Sequence, residues 1–382
     1  MPRPAEWPEL GHDEFDLPPT AQAPVRWLPY RRLALGARAS ATPTTVFILA
    51  GAALGPSGLH VLSDALILRS QALVWVGLAV TGVFIGLGLV RLRSQLPREL
   101  LAWTCVTALL AIGAVAGAFY VLAASARLPL PGALSAGALF VALCASVSAA
   151  VPTSASSRPQ LLRASAVADA DDVPLLVVGL VALASVTGEA GASRALATVM
   201  AGVAIGLAGC LLFSRASDVE RGLFVTSAVL LLAGAASYLG TSPLVSGCAA
   251  ALVWSGVPGP ADRITARDLR VLQHPLVVII LVVAGATVEW TMAALWAAAI
   301  VVVLRLAAKV LVAVTVSRMA AVSPALLASV LLQPGVLGIA LALNAWLVLG
   351  EAYRWVVSAV TLATMASEAL ALFLSPSNDA GA

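Results

Sequence analysis

Three carboxylates, Asp169, Asp171 and Asp172, crowd into the run LLRASAVADADDVPLLVV. If the helix that carries them starts near Leu162, all three lie in a membrane-embedded segment. There a charged carboxylate costs on the order of 2.5–3.5 kcal/mol even on the most lenient insertion scale. Adjacent carboxylates also repel. The arrangement is tolerable when one proton is shared, a cation sits between them, or a basic group stands near. Those three conditions are the states of a proton-coupled cation carrier. A plainer reading starts the helix at Asp172 and makes the acids a solvated N-terminal cap ahead of Pro174.

Of the 22 Lys and Arg residues only Lys309 is a lysine, and it falls midway through the apolar run VVVLRLAAKVLVAV. Arg305 lies one turn earlier on the same helical face. Neither head group snorkels easily from the middle of a long span, so each needs an acidic partner or a water-filled cavity. Lysine loses its proton on burial far more readily than arginine. Lys309 therefore reads either as a proton-exchanging partner of the aspartates or as a fixed counter-ion to Asp171, and Arg305 as a structural charge. Glu368 is a further deep acid that could pair with Arg305. Glu289, His60 and His274 fall at segment edges and His12 near the N-terminus, without an assigned role.

These side chains need elements that hold them in lipid. The 382 residues are 60% hydrophobic and 11% charged, with a mean hydropathy of +0.99, which excludes an ordinary soluble globular chain. Apolar runs of about 20 residues match a hydrocarbon core of roughly 30 Å. Read against their breaks they form about twelve segments, roughly 43–62, 70–90, 100–123, 132–151, 162–188, 193–214, 221–240, 242–258, 272–288, 291–317, 323–349 and 352–374. The expected fold class is thus an all-α polytopic membrane protein.

Arginine placement tests that reading, because short cytoplasmic loops carry an excess of basic residues. The N-terminal tail and the loops after even-numbered spans hold Arg26, Arg31, Arg32, Arg38, Arg91, Arg93, Arg98, Arg158, Arg163, Arg215, Arg221, Arg263, Arg267, Arg270 and Arg318. The other side holds Arg69, Arg127, Arg194 and Arg354. The bias places both termini in the cytoplasm. Residues 1–40, rich in Pro and charge and without an apolar signal core, are expected to be a flexible cytoplasmic leader, and 376–382 a short tail.

Two spans carry helix breakers at mid-depth, which is costly unless the freed backbone groups line a polar cavity or pack inside protein. The fourth span ends in Ser146, Ser148, Pro152 and Thr153, and the eleventh contains Gln333, Pro334 and Gly335. Each break is flanked by one further helix on either side, so spans 3–5 and 10–12 read as counterparts. Paired broken helices point to inverted repeats with a site at the midplane, although Pro and Gly are also ordinary kinks in membrane helices. Cys105, Cys144, Cys210 and Cys248 lie inside apolar runs without metal-ligand spacing and read as packing residues. Neither a phosphate loop nor a Ser-His-Asp arrangement is visible, nor is a basic patch for nucleic acid, so an enzyme is not expected.

Several segments resemble the monovalent cation:proton antiporters, the sodium/proton exchanger superfamily, in its Kef-like branch. PTTVFILAGAALGPSGLHVLS is similar to the family's early Pro-containing helix with its Gly-Pro turn, and AVADADDVPLLVV to its acidic core helix. SYLGTSPLVSGCAAALVWSG, and HPLVVIILVVAGATVEW followed by RLAAKVLVA, are similar to later helices in the same order. The likeness runs from about residue 40 to 375. It implies a transmembrane antiporter domain over 41–375, with two crossed, broken helices in a core of about 100–188 and 291–374. The remaining helices would form a dimerising panel against which that core moves. It also implies that Asp172 is the ion-carrying acid, Asp171 the acid that partners Lys309, and the transport electrogenic.

Three features depart from the pattern: no extra first helix is expected, Pro174 falls close to the acids, and LLQPGVLGIALAL lacks the charges often found there. No nucleotide-binding domain is expected after the last span. The reading is therefore exchange of Na⁺ or K⁺ for H⁺ by alternating access, with no cofactor beyond the transported ions. The chain would act as a homodimer in the inner (plasma) membrane. The rival readings are a non-transporting sensor or scaffold of the same architecture, and a cation channel.

Overall fold

The computed structural model describes residues 43–148, 159–188, 191–213, 217–256 and 261–374. Their helices are α1 (Pro43–Leu54), α2 (Asp64–Gln95), α3 (Arg98–Ser125), α4 (Leu134–Ser146), α5 (Pro159–Asp171), α6 (Val173–Val186) and α7 (Gly191–Phe213). They continue with α8 (Asp218–Leu239), α9 (Pro243–Gly256), α10 (Ala261–Ala286), α11 (Met292–Ala320), α12 (Pro324–Leu331), α13 (Val336–Leu349) and α14 (Arg354–Leu374). Among the described residues no strand forms. The leader over 1–40, the tail over 376–382, and Pro152 and Thr153 lie outside them.

α2, α3, α7, α8 and α11 are long and apolar enough to cross a membrane on length and composition, and shorter apolar helices lie among them. Outward-facing side chains such as Leu110, Leu211 and Leu311 are 68%, 73% and 64% exposed. Water does not tolerate apolar surface on that scale, whereas lipid does. The protein is a polytopic helical membrane protein.

Among the described residues helix forms in each of the twelve expected segments, but in four of them it stops short or divides, the fourth at Ser146. The first ends at Leu54, where Gly55 and Pro56 turn the chain and the Leu62 N–H closes back on the Leu54 carbonyl at 2.7 Å. The fifth divides at Asp172 because Pro174, in the first turn of α6, has no N–H to continue the ladder. The eleventh divides into α12 and α13 around Gln333, Pro334 and Gly335.

The helices pack as two sets. In one, α9 lies against α2 and α7, α10 against α1 and α2, and α8 against α2 and α7. In the other, α11 lies against α3, α12 and α14, and α13 against α4 and α14. Small residues set the spacing: a Cβ on Gly285 of α10 would stand 2.1 Å from the Ile48 carbonyl oxygen of α1, so only glycine lets these backbones meet. α5 buries Ala164, Val167, Ala168 and Ala170 in a cluster with Val312 and Val316 of α11 and Leu327 and Leu331 of α12. That apolar contact carries the acidic end of α5 up to the lysine of α11.

Candidate functional site

The site forms where two chain breaks meet. Ser148, just past α4, and Pro334, just past α12, make an isolated antiparallel bridge, and Ser148 Oγ donates to the Leu331 carbonyl at 3.2 Å. A Cβ on Gly335 would stand 2.6 Å from the Ser148 carbonyl oxygen and 2.9 Å from Val147 Cγ1. Gly335→Ala is therefore expected to destabilise the protein by about 1–3 kcal/mol through overpacking. The effect should read as a lower melting temperature in detergent, and a variant melting like the parent would mean that the breaks do not touch.

Each break leaves carbonyls at a helix C-terminus without an intrahelical donor, at the negative end of the helix dipole. Arg305 supplies the donors. Its Nη1 reaches the carbonyls of Ala145 and Val147, the latter at 2.7 Å. Its Nη2 faces those of Leu331 at 3.4 Å and Gln333 at 3.2 Å. One planar guanidinium thus ties the ends of α4 and α12 to α11 from a position only 5% exposed. The hydrogen-bond partners of Arg305 are these backbone carbonyls rather than an acid, in a cavity that it shares with Asp171 and Lys309.

Lys309, one turn on, donates from Nζ to Asp171 Oδ2 and to the Ser146 carbonyl. Both charged side chains are sealed, at 3% and 2% exposure. Asp171 is the last residue of α5, so the reading of the acids as a solvated cap fails for it. Asp172 stands at the junction with helical backbone angles and makes no side-chain capping bond to α6. Instead its Oδ1 accepts the Ser148 N–H at 3.1 Å, which binds the acidic junction to the crossing. Asp172 is half-buried, and among the described residues it forms no ion pair. Ser146, Asp171, Arg305 and Lys309 line one cavity together.

Asp169 is exposed on α5 and takes no part in the contact with Lys309. The Gln333 side chain is also exposed, and its backbone carbonyl is what the site uses. Among the described residues no ion pair joins Glu368 to Arg305, and Glu368 accepts a hydrogen bond from Thr45 Oγ1 of α1. Two contributors escape sequence reasoning. Cys105 Sγ of α3 lies 3.9 Å from the Ala170 carbonyl, the acceptor that Pro174 leaves without its helical donor. The other is the backbone itself at Ala145, Val147 and Leu331; the signal for it was the pair of broken helices, whose end carbonyls demand donors from elsewhere.

Fold and site together define a polytopic membrane protein with two chain breaks joined by an arginine, beside a buried lysine–aspartate pair. The arrangement shares its fold with the sodium proton antiporter MjNhaP1 from Methanocaldococcus jannaschii, at 14% sequence identity and a TM-score of 0.56. The match covers 87% of this chain and 89% of that one, and 38 chains of solved structures match in all. No protein-family model matches the sequence, and no curated protein does either.

Proposed function

We propose that this protein exchanges Na⁺ or K⁺ for H⁺ by alternating access, and that proton and cation compete for Asp172. The observation that carries the reading is the sealed contact of Lys309 with Asp171 immediately beside Asp172. Charge counting supports it. Arg305 faces two helix C-termini, each equivalent to roughly half a negative charge, so its charge is largely balanced. Lys309 balances Asp171. The carboxylate of Asp172 then needs a proton or a cation of its own whenever the site is closed to water. Occupancy by one excludes the other, and that exclusion enforces exchange.

In this reading the α3–α6 and α11–α14 segments are inverted counterparts and form the moving core. The set built on α1, α2 and α7–α10 is the panel through which two copies associate, and both termini are cytoplasmic. The narrower likeness to the Kef-like branch rests on the quoted motifs. The shared fold with an antiporter adds support but does not choose between Na⁺ and K⁺.

The test is proton movement in proteoliposomes on addition of Na⁺, K⁺ or Li⁺ across a range of pH. Lowering pH protonates the shared carboxylate, so the apparent cation affinity should weaken by up to roughly tenfold per pH unit on the acid side. A protein silent toward all three cations would instead be a sensor or scaffold, and conductance without proton movement would make it a channel.

A further inference from the structure

We infer that Arg354 is the centre of an electrostatic latch that shuts one end of the seam between the two helix sets. Arg354 opens α14. Its guanidinium lies 3.4 Å from Glu289 in the α10–α11 connection, 3.8 Å from Glu351 and 3.8 Å from Asp64 at the start of α2. Its Nε also faces the Thr287 carbonyl at 3.5 Å. Asp64 belongs to the set built on α2, whereas Arg354 belongs to the set built on α11, so this contact spans the seam, as does the one to Thr287 at the end of α10.

The base of the latch is rigid. The neighbouring Trp355 donates from Nε1 to the Pro131 carbonyl at 2.9 Å and stacks on Phe119. Glu289 is held to α14 through its own N–H, which donates to Ser358 Oγ at 3.0 Å. Glu289 and Glu351 therefore orient the guanidinium, and Asp64 is what it catches.

Another polar contact spans the seam at the same end: Ser242 Oγ, at the start of α9, donates to Asn344 Oδ1 of α13 at 2.9 Å. Beneath it lies a cavity between α4, α6, α9 and α13, lined by Phe140, Cys144, Leu176, Leu244, Val245 and Asn344. Of the two contacts, Ser242–Asn344 borders this cavity directly through Asn344, and the latch would close it from the end that carries Asp64, Glu289 and Glu351. Those acids are 71%, 45% and 68% exposed, so salt screens the latch, and each pair is weak enough to open thermally. Calling it a gate rests on the alternating-access reading above.

The experiment places Val245→Cys in the full chain with the four native cysteines replaced by Ala, in lipid nanodiscs, and follows labelling by a charged maleimide. Arg354→Gln should raise the labelling rate about fivefold, the population change that about 1 kcal/mol produces, and raising ionic strength should do the same in the Arg354 protein. Asp64→Asn is the second variant, chosen because its exposed side chain leaves folding intact, and it should reproduce the rise. Labelling that is unchanged by Asp64→Asn and by salt overturns the latch. Labelling needs no transport, so a protein that moves no cation yet responds to these changes rejects exchange and keeps the latch. Exchange with unresponsive labelling rejects the latch alone.

Discussion

Asp172→Asn is expected to abolish cation-induced proton movement in proteoliposomes while leaving the protein folded. The amide is isosteric, and its oxygen can still accept the Ser148 N–H that the carboxylate accepts at 3.1 Å. What disappears is the charge. Neither a transported proton nor a monovalent cation then has an anionic ligand at that position, while the Lys309–Asp171 contact is untouched. Folding should therefore be unimpaired, since removing a carboxylate from a half-buried position relieves a desolvation cost rather than adding one. Exchange persisting at the parental rate would move the site away from Asp172 and remove the basis for competition there.

Arg305→Ala should act in the opposite way, on the fold. Carbonyls of Ala145, Val147 and Gln333 would lose the arginine's donors together, and that of Leu331 would keep only Ser148 Oγ, at two helix ends whose dipoles the guanidinium offsets. Leaving even part of this set unsatisfied inside protein costs at least about 3 kcal/mol, which should appear as a sharply lower melting temperature and loss of a monodisperse species in detergent. Arg305→Lys is expected to fall between, because an ammonium keeps the charge but cannot span both helix ends as a planar fork does. An alanine variant that melts with the parent would mean that water meets these carbonyls, and that the crossing stands without the arginine.

These two outcomes separate residues that look alike in the sequence. Asp172 and Arg305 are both charges in apolar surroundings, and composition marks both as costly. Only their partners divide them: the Asp172 carboxylate accepts one backbone N–H, and the Arg305 guanidinium donates to four backbone carbonyls.

The membrane class, the twelve segments and the break at Pro334 were legible in the sequence, because apolar run length and the missing proline N–H act locally and need no partner. Legible too was the need of Lys309 for a carboxylate. The structure supplies Asp171 from 138 positions away, by packing the small residues of α5 against α11 and α12. The sequence also held the clue to the split at Asp172, in Pro174, but not the use made of the freed carbonyl by Cys105. Two partners were decided by tertiary structure alone. Arg305 turned to backbone carbonyls, and Glu368 turned to Thr45 of α1. The reason is physical: a side chain's need for a partner is set by its own chemistry and burial, whereas the identity of that partner depends on which helix ends and faces the packing brings within a few ångströms.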